Sequence, residues 1–553
     1  MHNAVGNSRL HVLHLLAWPV AVLFAVQLFI AFFLPIYTDE FGFKWGYARA
    51  FLDDGKTQLL NISCRADPTV AWPLLWMPAR WFDALLYQDL SHPSKLRVFG
   101  FVYAGIFLIA LYSLVRRARW SLEGASTGLV YVFAISFCAL GVLPFLLVMN
   151  RPELELMSGV AVLLVLVLRG ASVVNIWLVY ACLALLQYYL FAHHPKSILL
   201  IPLFLASWLA LRGPSALKFL GALWIGVLAV SLYMFYLRLL QCPLDNYVRI
   251  NVLRDTLSVD LLRLFPEYFI WQGFNNLFGS LQYVSSVTFR AEYMSGWLPP
   301  DDLRSHGLAG VANLGIEIMW LLPLLLSVAG LAMFIRRAGA ATSRPLREED
   351  RAVGVVFVGL FTSLALTCIA QINRNDYKST QILLMILLCA VLALISHVKP
   401  VKQRIWRKMM GGAFVICIVS QIVFFQSFAS YALASWSVPG PTIGQPFSVS
   451  HVGYASFRSD VAELARQCGI SEHNPPEHLV LDDSTYPVFW RSKLPYHLVY
   501  ITGWWAGGIP DLKVLLEERR YGGVVSKCGT LPKSLRELAN EKNGICCVQA
   551  RQR

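Results

Sequence analysis

Charged residues are scarce in this sequence. Asp, Glu, Lys and Arg together make up only 14% of the 553 residues, whereas 57% of the residues are hydrophobic. The mean hydropathy is +0.55, far above the range of water-soluble globular domains. The composition therefore excludes a soluble protein and predicts a polytopic membrane protein.

Several motifs that would indicate other functions are absent. No glycine-rich phosphate-binding loop follows a strand-like segment, so the sequence does not predict soluble nucleotide-sugar chemistry. None of the eleven cysteines has the spacing of a zinc site, and we expect no metal and no cofactor, leaving open a divalent cation bound by the acidic loops. The formal charge is +14, but Lys and Arg are not gathered in a basic domain with interleaved aromatics, so no nucleic-acid partner is predicted.

Apolar runs long enough to cross a bilayer, about 17 to 25 residues each, dominate the chain. The first run lacks a small-residue cleavage site and exceeds the apolar region of a signal peptide, so we expect it to be retained. The pattern predicts about eleven membrane helices. They begin near His14, Arg97, Gly124, Met157, Ser172, Ser197, Leu217, Gly315, Ala352, Thr380 and Met409.

The basic residues cluster in alternate loops between these runs, which all lie on one side of the membrane. With a cytoplasmic N-terminus, clusters such as Arg116/Arg117/Arg119 and Arg336/Arg337 fall in the cytoplasm, as the positive-inside rule requires. Residues 37–96, 239–313 and 432–553 are then exported. The last of these alternates helix-like and strand-like stretches, which predicts a small α/β domain.

Six cysteines lie in the exported segments, where an oxidising compartment permits disulfides. They are Cys64, Cys242, Cys468, Cys528, Cys546 and Cys547. The pairing does not follow from the sequence. The plausible set in the C-terminal region is Cys468, Cys528 and one of the adjacent pair Cys546/Cys547.

Two adjacent carboxylates, Asp39 and Glu40, follow the first apolar run in "YTDEFGF". The next stretch has amphipathic spacing, with Phe41, Trp45 and Phe51 on one side, and predicts a helix lying in the membrane interface. An Asp at its start has two interpretations: an N-cap, or a catalytic base at the membrane surface.

The short loops predicted on the same side also carry acids and bases. Aqueous loops with interfacial anchoring account for each loop singly, but less well for the combination, because charged groups bordering apolar helices are costly unless paired or used. These residues are Arg151, Glu153 and Glu155 in "NRPELE", His193, His194 and Lys196 in "HHPKS", and Arg374, Asp376 and Lys378 in "NRNDYK".

A carboxylate close to cationic groups at the membrane surface suits one reaction type. In the transfer of a group from a lipid-linked phosphate to a hydroxyl, the carboxylate accepts the hydroxyl proton as general base. Lys, Arg or His side chains bind and neutralise the departing phosphate. The residue types in these loops therefore favour such a transfer.

This layout, with "TDE" after helix one, "NRPELE", "HHPKS" and an exported C-terminal domain, resembles the GT-C membrane glycosyltransferases over the whole topology. The resemblance implies a GT-C-like transmembrane catalytic domain over residues 1–431, a periplasmic α/β domain over residues 432–553, and a bacterial inner-membrane location. It also implies a polyprenyl-phosphate-linked sugar donor and a glycan, lipid or protein acceptor, with membrane lipids as surroundings. The sugar and the acceptor stay open.

The resemblance also implies roles for individual residues. Catalytic positions fall on Asp39, with Glu40 beside it, and on Glu153 or Glu155 in the second outer loop. The positions that bind the donor phosphate and sugar fall on basic residues of the outer loops, namely Arg151, His193, His194, Lys196, Arg374 and Lys378.

Two other functions compete with this interpretation. An O-antigen ligase or polymerase concentrates its functional residues in one late outer loop, and residues 239–313 with Arg249, Arg254 and Arg263 fit that pattern. A transporter of lipid-linked glycans places ionisable residues inside its helices near the midplane. The acid directly after the first run argues against the former, and the nearly uncharged runs argue against the latter.

The predicted topology is tested by reporter fusions. Because Lys and Arg cluster in the loops that this orientation leaves in the cytoplasm, reporters fused at Gly55, Gly279 and Arg553 should all signal from outside the cytoplasm. A cytoplasmic signal at any one of the three positions would overturn the scheme.

Overall fold

The computed structural model describes most of the chain. The described residues are 2–33, 36–37, 74–87, 94–118, 122, 126–170, 175–240, 257, 259–285, 307–340, 348–370, 376–396, 403–437, 448–449, 454–470, 479–481, 485–489, 496–498 and 522–549. Statements below concern these residues.

Helices dominate the structure. In the first half of the chain they are α1 (His2–Phe32), α2 (Met77–Tyr87), α3 (Ser94–Ala118), α4 (Thr127–Cys138), α5 (Leu143–Val148), α6 (Pro152–Gly170), α7 (Ile176–His193), α8 (Ile201–Ala210) and α9 (Ser215–Leu240). Then follow α10 (Val259–Leu264), α11 (Pro266–Ser285), α12 (Gly307–Ala340), α13 (Glu348–Ala370), α14 (Asp376–Ile395), α15 (Gln403–Ser437), α16 (Tyr454–Gln467), α17 (Tyr486–Phe489) and α18 (Lys533–Arg536). Short 3-10 helices include Leu74–Trp76 and Pro195–Leu200.

Seven of the described helices contain segments long and apolar enough to cross a membrane. These segments lie in α1, α3, α7, α9, α12, α13 and α15. Shorter apolar helices cover Thr127–Cys138, Pro195–Ala210 and Thr380–Ile395. The predicted polytopic helical fold is thus confirmed, whereas the count of eleven spans stays a prediction.

The chain folds as two compact units, and the predicted boundary at residue 432 stays a prediction. The first unit comprises Met1–Phe32, Phe99–Leu232 and Arg254–Ala429. Its centre is α14, which packs against α4, α5, α6, α11, α12 and α13. Residues 380–395 of α14 are all buried, as expected of a helix that is apolar on every side.

One end of α13 is held by the segment before α12. The last carbonyls of a helix have no partner within it. Here three consecutive ones accept hydrogen bonds from residues outside the helix: Cys368 O from Ser280 Oγ (3.1 Å), Ile369 O from Asn276 Nδ2 (2.8 Å), and Ala370 O from Leu257 N (3.0 Å). The packing of α11 on α13 is therefore specified by polar groups as well as by apolar contact.

The second unit comprises Phe33–Val98, Tyr233–Leu253 and Ser430–Arg553. It contains a two-stranded antiparallel pair, β1 (Ile36–Tyr37) with β2 (Ser448–Val449), and a five-stranded sheet. The sheet has the order β4 (Tyr496–Leu498), β3 (Leu479–Leu481), β5 (Gly523–Lys527), β7 (Ile545–Gln549) and β6 (Asn540–Lys542). Strand β3 is parallel to both its neighbours, whereas β5, β7 and β6 are antiparallel.

The predicted C-terminal α/β domain is confirmed in outline. The stretches "HLVLDD" and "YGGVVSK" contain β3 and β5, and "RSDVAELARQC" lies in and directly after α16. The stretch "LPKSLRELAN" is helical only over Lys533–Arg536, because the chain turns there to enter β6 at Asn540. The stretch "DLKVLLEERR" lies outside the described residues.

Two disulfides join the C-terminal elements. Cys468, directly after α16, bonds to Cys547, and Cys528, directly after β5, bonds to Cys546. Successive side chains of a strand point to opposite faces of its sheet, so the adjacent cysteines of β7 bond to different partners. The prediction that only one of them pairs is wrong.

These disulfides should stabilise the domain measurably. Replacing Cys528 or Cys468 by Ser should lower the free energy of unfolding by about 2 to 5 kcal/mol, measured by thermal unfolding of the full chain. Mass spectrometry under non-reducing conditions should recover both cross-linked peptides. The control is Cys182→Ser in α7, because Cys182 is an exposed free thiol; equal stability of all three variants would contradict the assignment.

Candidate functional site

The segment before α6 is held against α3. A Cβ atom added at Gly100 of α3 would overlap the backbone carbonyl of Val148, and it would lie 3.2 Å from the nitrogen of Asn150. Only glycine permits this close approach of a helix to a neighbouring backbone. Ser158 Oγ of α6 also donates to Tyr103 O of α3 (2.8 Å). Packing against α3 therefore fixes where α6 begins.

Helix α6 begins with residues suited to a helix N-terminus. Pro152 occupies its first position, where a missing N–H costs nothing, and Glu153 and Glu155 lie in its first turn. Carboxylates there interact favourably with the helix dipole. Both side chains are nevertheless almost fully buried, which capping by itself does not require.

Glu153 is the centre of a buried ion cluster. Arg151 Nε lies 3.3 Å from Glu153 Oε2, and Lys196 Nζ donates a short hydrogen bond to Glu153 Oε1. The side chains of Arg151 and Glu153 are 6% and 2% exposed, and that of Lys196 is 18% exposed. One carboxylate thus holds two cations of different loops at the end of a helix.

A second buried side-chain contact lies beside the first. His193 Nε2, on the last residue of α7, contacts Glu155 Oε2, and both side chains are buried. The ring of Tyr189, one turn earlier in α7, stacks on that of His193 with centroids 5.6 Å apart. The Tyr189 hydroxyl is in turn 3.1 Å from that of Tyr103 in α3. The orientation of His193 is therefore set by neighbours on two helices.

His194 shapes the backbone that carries Lys196. Its Nδ1 accepts a hydrogen bond from Lys196 N (3.0 Å), and its carbonyl accepts one from Ser197 N (3.0 Å). Pro195 follows as the first residue of the 3-10 helix, a position that proline favours. His194 is thus a cap that presents the Lys196 side chain; its predicted contact with a donor stays a prediction.

The cluster keeps Glu153 ionised. Glu153 precedes the predicted apolar span that begins near Met157. Burial opposes its charged form, but the charges of Lys196, Arg151 and His194 and the hydrogen bond from Lys196 outweigh that cost, so the pKa of Glu153 lies below its usual range. A carboxylate held this way is a counter-ion first and a weak proton acceptor.

The structure brings together five of the predicted site residues, Arg151, Glu153, His193, His194 and Lys196. It also shows a contact of Glu155 with His193. The sequence indicates this contact only through the presence of an acidic and a basic side chain in these two loops. Asp39, Glu40 and Arg374 lie outside the described residues. Lys378 belongs to the first turn of α14, but its side chain is not among those described. Their roles stay predictions.

The described side chains contain one group with the geometry of a metal site. It consists of Cys528, Glu541 and Cys546. Its two sulfur atoms form a disulfide, so they cannot act as thiolate ligands. The expectation that the protein needs no metal, with a divalent cation at the acidic loops left open, stays a prediction.

Comparison with known proteins gives matches among solved structures. No protein-family model and no curated protein matches the sequence. Among solved structures, the chain is similar to the crystal structure of ArnT from Cupriavidus metallidurans bound to undecaprenyl phosphate, with 12% sequence identity and a TM-score of 0.48, over 97% of this chain and 97% of that chain.

Proposed function

We propose that the protein is a membrane glycosyltransferase that transfers a sugar from a polyprenyl-phosphate donor to a hydroxyl group of a cell-envelope glycan, lipid or protein. The observation that supports this most directly is that a buried arginine, Arg151, and a partly buried lysine, Lys196, share Glu153 at the start of α6. Their setting combines positive charge, a helix N-terminus and apolar helices, which suits the phosphate of a lipid.

Donor binding follows from the charges of this cluster. A buried and a partly buried cation among apolar helices need an anion beside them, because an unpaired buried charge is strongly destabilising. Glu153 supplies it in the protein without donor. The donor phosphodiester carries one negative charge and competes with Glu153 for the Lys196 ammonium, which is the more exposed of the two cations. Lys196 therefore moves between two anions.

The proposed reaction is a displacement at the anomeric carbon of the sugar. The acceptor oxygen forms the new bond to that carbon while the bond between the carbon and the phosphate oxygen breaks. The electron pair of the broken bond leaves with the phosphate, whose growing charge Lys196 and Arg151 stabilise. The hydroxyl proton goes to a general base, which we assign to Asp39, with Glu40 orienting it.

Glu155 and His193 hold the cluster in place. Their contact joins the first turn of α6 to the end of α7. Since Lys196 follows His193 by three residues, any shift of His193 displaces the ammonium. We therefore assign His193 a positioning role, in which the buried carboxylate of Glu155 fixes its ring.

The role of Lys196 is tested by substitution. Lys196→Ala should lower the transfer rate about 10²- to 10³-fold, as for the loss of one charge-stabilising donor, and should weaken binding of undecaprenyl phosphate. Lys196→Arg should restore activity only in part, because a guanidinium fork differs from a compact ammonium. Transfer is measured with purified protein and a polyprenyl-phosphate sugar.

The controls separate loss of function from loss of fold. Lys218→Ala replaces a lysine on the opposite predicted membrane face and should have no effect. Because Glu153 still pairs with Arg151 in Lys196→Ala, that variant should keep its thermal stability while it loses activity. Wild-type activity in Lys196→Ala would remove Lys196 from the site.

The role of Asp39 is tested by Asp39→Asn. Asn accepts the backbone hydrogen bonds of a helix cap as Asp does, but it cannot take a proton, so transfer should fall about 10²- to 10⁴-fold while thermal stability is unchanged. Glu40→Gln is the matched neighbour and should have the smaller effect. If Asp39→Asn transfers at close to the parental rate, the base lies elsewhere.

A further inference from the structure

Two buried polar side chains of the first unit have no hydrogen-bond partner among the described residues. They are Ser197, through Oγ, and Gln381, through both Nε2 and Oε1. Both residues are completely buried. Buried polar groups are nearly always paired in folded proteins, and each exception requires an explanation.

Ser197 differs from three other buried serines of the helices. Ser158, Ser207 and Ser327 each donate their hydroxyl to the carbonyl four residues earlier, at 2.9, 2.7 and 2.7 Å. Such a bond is the ready local partner for a helical serine. Ser197, which directly follows Lys196 in the 3-10 helix Pro195–Leu200, makes none. Its hydroxyl is therefore available to form a hydrogen bond with a ligand beside the ion cluster.

Gln381 differs in the same way from another buried glutamine. Gln187 in α7 is equally buried, but its Nε2 donates to Phe204 O (3.3 Å) and its Oε1 accepts from Trp208 Nε1 (2.8 Å). The amide of Gln381 in α14 has neither type of bond. An amide offers two donor hydrogens and an oxygen that can accept two hydrogen bonds, so both donor and acceptor positions at Gln381 are open to a ligand.

Both residues lie towards the same end of α13. Leu203 N, two turns after Ser197, donates to Ser363 Oγ of α13 (3.2 Å). Thr367 Oγ1 of α13 contacts Met385 Sδ, one turn after Gln381 (3.9 Å). Ser197 precedes Leu203 in the chain, and Gln381 precedes Met385. Going back along the chain from each of these contacts therefore leads towards the level of the last turn of α13. The 3-10 helix itself packs against α13.

We propose that Ser197 and Gln381 hydrogen-bond the sugar of the donor and set which sugar is accepted. This inference rests on the proposed function. Phosphate recognition needs cations, which Arg151 and Lys196 provide, whereas sugar hydroxyls need neutral donors and acceptors. A hydroxyl adjoining the phosphate-binding lysine and an amide at the same depth supply these. A site built to bond a hydroxyl rejects analogues that lack it.

The experiment compares a bare lipid phosphate with sugar-bearing forms of the same lipid on the purified full-length protein. The probes are undecaprenyl phosphate and the same lipid carrying a hexose, a pentose or an amino sugar, and the readout is the dissociation constant in detergent. Wild-type protein should bind one of the sugar-bearing lipids more tightly than the bare lipid. Ser197→Ala and Gln381→Leu should each reduce that gain about 3- to 10-fold, the loss expected for one hydrogen bond, and should leave binding of the bare lipid unchanged.

Thermal stability without lipid is the second readout. Replacing an unpaired buried polar group by an apolar one removes a desolvation cost, so Ser197→Ala and Gln381→Leu should be at least as stable as the wild type. The matched controls are Ser207→Ala and Gln187→Leu, which remove satisfied hydrogen bonds. They should lower the melting temperature and keep the sugar-dependent gain.

Each outcome decides the inference. If wild-type protein prefers a sugar-bearing lipid and both variants keep that preference, the inference is overturned while the proposed function stands. If both variants lose stability as the controls do, Ser197 and Gln381 are structural and the inference fails. If wild-type protein binds the bare lipid but gains nothing from any sugar of the panel, the inference again fails. If it binds no lipid at all, the proposed function fails with it.

Discussion

The arrangement of the candidate site depends on one constraint: a cation buried among apolar helices must have an anion beside it. Arg151 and Lys196 come from different loops, and both meet the carboxylate of Glu153. That meeting fixes the start of α6 relative to the 3-10 helix at Pro195. Three further interactions hold the backbone where Arg151 and Lys196 can both reach Glu153. They are the close contact at Gly100 of α3, the cap by His194 and the contact of Glu155 with His193.

Much of the fold could be predicted, because membrane helices are specified by length and apolarity. The apolar run after Gly124 is an instructive exception. It forms two helices, since the chain turns at Gly141 with a positive φ of 56° and restarts ahead of Pro144. Hydropathy does not register such a turn within an apolar run. The cysteine pairing was likewise beyond the sequence, because it depends on which face of β7 each of Cys546 and Cys547 occupies.

The candidate site could be predicted as a set of residues but not as a set of contacts. Loops at one end of antiparallel helices meet in space, so the grouping of "NRPELE" with "HHPKS" follows from topology. Which acid pairs with which base depends on helix rotation, since residues two apart on a helix point about 200° apart. That rotation separates Glu153, which binds Lys196, from Glu155, which binds His193, and only packing against α3 and α7 sets it.

The same reasoning explains why charged and neutral polar groups divide the proposed recognition between them. A buried cation is costly when unpaired, so Arg151 and Lys196 both pair with Glu153, and the proposed donor phosphate would compete with that carboxylate. A buried hydroxyl or amide costs far less when unpaired, so Ser197 and Gln381 can remain open in the folded protein. Binding of the phosphate in exchange for the Glu153 carboxylate does not depend on the sugar. Unpaired neutral groups, by contrast, strengthen the binding only of a ligand that forms hydrogen bonds with them. Selectivity for the sugar would then depend on the neutral groups, because leaving them unpaired costs the folded protein little stability.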